Sequence, residues 1–273
     1  MSGPREALEA IGQLPDAEID IGNAALQLAR VDAPDTDWRR AEDHLSTIAR
    51  EAVIRATRVA PEDGPTQAAM LAELLGMQFG YEGDAETYDD LANANLIRVI
   101  ERRRGLPVAL GVLWLHAARA AGWAAHGVDF PGHFLVALAH GAATTVIDPF
   151  QGGGVLDMPA LQLLLRRAEG ARAKLRPGML APMSQRAVLL RLQNNIKWRR
   201  YHAGDVAGAL ACTQDMQLIA PLDSGQVWDA AMLEAELGQV AAALRSLARF
   251  AAMAPAEAQR AQDVMDELRS RLN

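Results

Sequence analysis

Apolar positions recur at helical spacing over most of the first hundred residues. In PDAEIDIGNAALQLAR, Ile19, Ile21, Ala24, Leu26 and Leu28 follow a mixed helical pattern, and Asp16 is placed to cap a helix running to Arg30. After the break VDAPDTD, a second helix is predicted from about Trp38 to Val59, with Leu45, Ile48, Ala52 and Ile54 inward. Pro61 to Pro65 reads as a turn, Thr66 opens a helix to about Met77, FGYEGDAETYDDL reads as loop, and ANLIRVIERR is helical again. Gly105 then interrupts the pattern. PVALGVLWLHAARAAG is apolar nearly all round, with His116 and Arg119 its strongly polar members, and such a helix is a buried one. Pro107 suits its first turn and Gly122 its end.

The period then shortens. AAHGVDF, HFLVALA and ATTVIDPF are short, rich in Val, Ile, Leu and Phe, and separated by Pro-Gly and His-Gly, which predicts three antiparallel strands. Asp157 caps a helix through LQLLLRRAEG with Pro159 in its first turn, and RPGMLAPMS reads as a linker. From Gln185 the chain is helical and repeats. Gly204 and Gly238, Ala209 and Ala243, Met216 and Phe250, and Pro221 and Pro255 each stand 34 residues apart, the tetratricopeptide spacing, for about two units. The expected fold class is α+β, mostly helical, with a small antiparallel sheet packed on a buried central helix. The expected boundaries are a domain over 1–175 (a helical segment over 1–104, then a core over 105–175), a linker over 176–184 and repeat helices over 185–273.

Composition narrows the function. With 273 residues, a net charge of -7 and a pI near 5.4, a global electrostatic grip on nucleic acid is not expected. The run Arg102-Arg103-Arg104 is a small patch whose members are expected to be solvated or paired with acids. The single cysteine, Cys212, rules out an intrachain disulfide and fits a reducing compartment. The N-terminus lacks a signal-peptide core, and the longest apolar run, Leu106 to Leu115, is shorter than the roughly 18 to 20 residues a bilayer needs. The expectation is a cytoplasmic protein with no membrane partner.

His133 and Asp148 are the polar residues that stand out in the strand region. If AHGA closes a hairpin at His140-Gly141, Ala139 pairs with Ala142, and the same register sets His133 directly opposite Asp148 on one face. A carboxylate beside an imidazole reads either as a structural hydrogen bond that locks two strands or as the base-and-orienter half of a Cys-His-Asp triad. Six histidines are present but no HxxxH or HExxH pair, so no metal and no cofactor is expected. Glu101 and Arg103 flank the start of the central helix. They read either as an ion pair that holds this start in place, or as a site where Arg103 binds an anion bidentately.

The stretch NLIRVIERRRGLPVALGVLWLHAARAAGWAAHGVDFPGHFLVAL with the later VIDPF resembles the transglutaminase-like core of SirB-type bacterial proteins, and NNIKWRRYHAGDVAGAL resembles their tetratricopeptide-like segment. The resemblance implies a papain-like core in which a nucleophilic Cys would open the central helix. Here that place holds Leu106-Pro107-Val108, and Pro107 has no nucleophilic atom. Cys212 lies in the repeat segment and reads as an inert packing thiol. The expected function is therefore a non-catalytic module that binds a peptide or protein, with Glu101, Arg103, His133 and Asp148 as candidate ligand contacts. A hydrolase or amidase using His133 and Asp148 with water is the alternative.

Overall fold

The computed structural model describes residues 3–58, 63–141 and 143–270. Val59, Pro61 and Glu62, which belong to the predicted second helix and turn, lie outside the described residues, as does Ala142 of the predicted hairpin. In chain order the helices are α1 (Pro4–Gln13), α2 (Ile21–Asp32), α3 (Trp38–Arg58), α4 (Gly64–Ala72), α5 (Leu96–Arg102), α6 (Pro107–Ala120), α7 (Met158–Glu169), α8 (Gln185–His202), α9 (Val206–Ile219), α10 (Ser224–Glu236), α11 (Val240–Met253) and α12 (Ala258–Ser270). The strands are β1 (Glu82–Gly83), β2 (Arg104–Gly105), β3 (Ala124–Phe130), β4 (His133–His140), β5 (Ala143–Asp148), β6 (Gly154–Leu156) and β7 (Pro182–Met183).

Two compact units form, one of residues 15–192 and one of residues 1–14 with 193–273. In the first, β6-β5-β4-β3-β7 make an antiparallel sheet, and β1 pairs in parallel with β2. The sheet is buried on both faces. On one, the Phe134 ring lies against Gly111 of α6, where an added Cβ would come within 2.2 Å of it. On the other, Val128, Phe130, Leu135, Ala137 and Val146 form a cluster with Leu161 and Leu165 of α7. Helix α6 is buried on every side over its first nine residues, as its apolar run requires.

Two local expectations differ from what forms. Asp16 does not cap the helix that ends near Arg30; Asp20 does, accepting from the Asn23 N–H, because Asp16 opens a separate 3₁₀ turn after Pro15. The Asp16 carboxylate instead accepts from the Gln185 and Arg186 N–H groups and so caps α8 from 169 residues away in sequence. The segment 176–184 is tied to the sheet: Met179 and Leu180 pack on the α7 cluster, and Gly127 and Val128 pair with Met183 and Pro182. Pro182 lacks an N–H, and β7 is an edge strand, where that lack is tolerated.

In the second unit α1 packs on α9, and α9 through α12 pack in succession. Leu8 is fully buried and Arg5 reaches the buried Asp215 at 2.9 Å, so the first helix belongs to this core. The 34-residue spacing is visible in the backbone. Gly204 and Gly238 both take positive φ (82° and 71°), and Ala220 and Ala254 share φ near -125° with ψ of 68° and 72°. Ala209 and Ala243, at matching positions, are both fully buried.

Candidate functional site

His133 and Asp148 meet, in a register that differs from the expected one. His140 pairs with Ala143, and the ladder runs to Val136 opposite Ile147. Continuing it sets Asp148 opposite Leu135, so His133 is its diagonal neighbour. A shift of two residues preserves the face, whereas a shift of one would have separated the pair. His133 Nε2 lies 3.0 Å from Asp148 Oδ1, with both side chains largely buried. Despite that distance no hydrogen bond forms between them, and the contact is electrostatic. Oδ1 also accepts from the Phe150 and Gln151 N–H groups at 2.9 and 3.3 Å, capping the 3₁₀ turn Pro149–Gln151. Asp148 thus closes a turn as well as facing the imidazole.

Two further contacts position His133. Arg191 donates to the His133 carbonyl at 3.3 Å and pairs with Asp129 at 2.6 Å, which clamps the β3–β4 turn where Gly132 takes positive φ. The Phe150 ring meets the imidazole edge-on at 6.3 Å and packs on Gly83, whose strand partner is Gly105. Gly105 lies just before α6, whose first residue is the buried Pro107. Cys212 is buried in α9, in the other unit.

Glu101 and Arg103 do not pair with each other. Glu101 is exposed and binds Arg98 at 2.9 Å, one helical turn away. Arg103 caps α5 in the left-handed region, at φ 59°, as the one non-glycine residue with positive φ among those described. That conformation costs a residue with a Cβ about 1–2 kcal/mol. Its Nη1 donates to the Tyr81 hydroxyl at 2.6 Å and to His44 Nε2 at 2.5 Å, and its guanidinium lies over the Tyr81 ring at 4.9 Å. Acceptance at Nε2 places the neutral imidazole's proton on Nδ1. Burial, and then the charge of Arg103, lower the His44 pKa to about 4. Burial raises the Tyr81 pKa. Sequence pattern alone does not single out His44 or Tyr81. The usable signal was Arg103 itself, at a helix end where glycine is the ordinary choice.

Among the described residues no group of three His, Cys, Asp or Glu could hold a metal ion, and no helix is long and apolar enough to cross a membrane. A UPF0162 protein of Xylella fastidiosa is 28% identical over 251 residues, covering 90% of this chain and 88% of the relative. A UPF0162 protein of Vibrio cholerae is 27% identical and covers 80% of each chain. The F-box only protein 21 of mouse is 33% identical over 73 residues, which is 27% of this chain and 12% of that protein. No solved structure matches. The family profile described as the transglutaminase-like superfamily matches residues 39–194, more than half of the chain. With its central helix set against an antiparallel sheet that carries a His–Asp pair, the chain belongs to the transglutaminase-like superfamily.

Proposed function

We propose that this chain is a non-catalytic transglutaminase-like protein that binds a peptide or protein partner. The observation that carries the reading is the start of α6. A thiolate there would gain from the helix dipole, yet the residue present is Pro107, and the one thiol of the chain is buried in the other unit. A triad without its nucleophile loses most of its catalysis. The His133–Asp148 pair then serves as a polar contact for a ligand in a degenerate cleft. Resemblance to SirB-type proteins supports reading the helices after Gln185 as tetratricopeptide-like. They carry an aromatic surface for a partner protein, where Trp198 is half exposed and Tyr201, Met232 and Glu236 border a cavity of about 240 Å³.

One observation favours hydrolysis instead: His133 Nε2 makes no hydrogen bond within the protein, so the fold does not use up the bonding capacity of the imidazole. The discriminating experiment incubates the whole chain, and its His133→Ala variant, with peptide, amide and ester libraries. The binding reading expects no turnover above buffer from either protein. Turnover that disappears in His133→Ala would sink it in favour of the hydrolase.

A further inference from the structure

Three arginines in a row precede the central helix, and two of them are neutralised. Arg102 pairs with Asp84 at 3.1 Å and Asp90 at 3.2 Å. Arg104 pairs with Glu82 at 2.6 Å and Glu86 at 3.8 Å. Arg103 has no carboxylate within ion-pair distance among the described residues; its partners are the Tyr81 hydroxyl and the His44 ring, both uncharged at neutral pH. A half-buried cation held only by neutral acceptors is poised for an anion. Nη1 is used by those two partners, so Nε and Nη2 remain to bind one side-on, as a carboxylate requires. The left-handed backbone that aims this side chain is a strained position where glycine would rest, and such positions cluster at functional sites.

Arg103 opens onto a cavity of about 630 Å³, within the size range of small-ligand sites. Arg40 joins it there and makes no ion pair among the described residues, while the exposed Asp37, Asp43 and Glu101 line the same cavity. Glu101 is already paired with Arg98, so Asp37 and Asp43 balance Arg40 and Arg103, and that balance opposes a dianion such as phosphate. It favours a single carboxylate borne on a molecule with positive charge elsewhere.

We propose that this cavity binds the C-terminal carboxylate of a basic peptide, with Arg103 and Arg40 on the carboxylate and Asp37 and Asp43 facing the basic side chains. The site is separate from His133 and Asp148 and stands even if that pair holds nothing. The test titrates the whole chain, by calorimetry, with the tripeptide Ala-Lys-Lys, with its C-terminal amide and with inorganic phosphate. Arg103→Gln, Arg103→Gly and His133→Ala are run alongside, each checked for native circular dichroism. Arg103→Gly suits the left-handed backbone, so its loss of binding cannot be put down to backbone strain. The free-acid peptide should bind, and the amide and both Arg103 variants should bind at least about tenfold more weakly. Equal binding of acid and amide overturns the proposal, as does tighter binding of phosphate, full binding by the Arg103 variants, or no binding of any probe. Loss confined to His133→Ala also overturns it, and moves the carboxylate to the other cleft.

Discussion

His44 sits where two costs meet, since both burial and the adjacent Arg103 oppose its protonation. Its pKa falls from an ordinary 6.5 in the unfolded chain to about 4 in the folded one. Between those values the unfolded state binds the extra proton, so stability decreases as pH drops from about 6.5 toward 4. Urea unfolding across that window should show the slope, and His44→Gln, which has no titrating group, should flatten it. An unchanged slope in the variant would remove His44 as the cause. Asp84 acts in a lower window. Hydrogen bonds from the Thr87 hydroxyl and N–H, and then the charge of Arg102, hold its carboxyl below the ordinary 3.8. Its contribution is present above that value and is lost as pH falls further. Asp148 contributes through its cap. Asp148→Ala leaves the Phe150 and Gln151 N–H groups without their acceptor and should cost about 1–2 kcal/mol in denaturant melts. Asp148→Asn keeps an acceptor oxygen and should cost clearly less. Equal losses would mean that the charge beside His133, and not the cap, is what matters.

At the scale of elements, the helix and the three central strands were legible because each carries its own period. A run apolar on all sides, opened by Pro107 and closed by Gly122, can only be a buried helix, and β3, β4 and β5 form where alternation and turn residues put them. The register was less legible. The expected turn at His140-Gly141 begins one residue later, so that His140 pairs with Ala143, and no side-chain pattern distinguishes registers that differ by two. The His133–Asp148 contact survived because the error was even. What the sequence does not display is which small residue lets two elements approach. Gly111 is an ordinary glycine in an apolar run until the sheet brings Phe134 onto it. Alanine there gains about 1 kcal/mol of helix propensity but drives a methyl into the ring. Gly111→Ala should therefore destabilise the chain by about 1–3 kcal/mol, measured by chemical denaturation. A neutral or stabilised variant would show that α6 can move away from the sheet at little cost.

At the scale of the whole chain, the boundary between units was the least legible feature, because it depends on contacts between segments remote in sequence. Nothing in MSGPREALEA announces that residues 3–14 pack with helices some two hundred residues downstream. The reason is physical: an amphipathic helix shows that it has an apolar face, not which surface covers it. Here α1 buries Leu8 and Ile11, brings Arg5 to Asp215, and lays Gly12 against the Leu218 carbonyl of α9. Helix α9 also carries Cys212, which is 2% exposed. Removing residues 1–14 should uncover that side of α9 and leave the Asp215 carboxylate without the Arg5 guanidinium. Loss of Leu8 burial alone is worth about 2–5 kcal/mol. A thiol reagent should then modify Cys212 at least about tenfold faster in the truncated chain than in the parent, because its reaction requires local opening of this unit and opening becomes easier. Leu8→Ala should move the rate in the same direction with the N-terminal helix still present. A rate that is the same in all three proteins would mean that α1 only rests on a unit that α8 to α12 hold together by themselves.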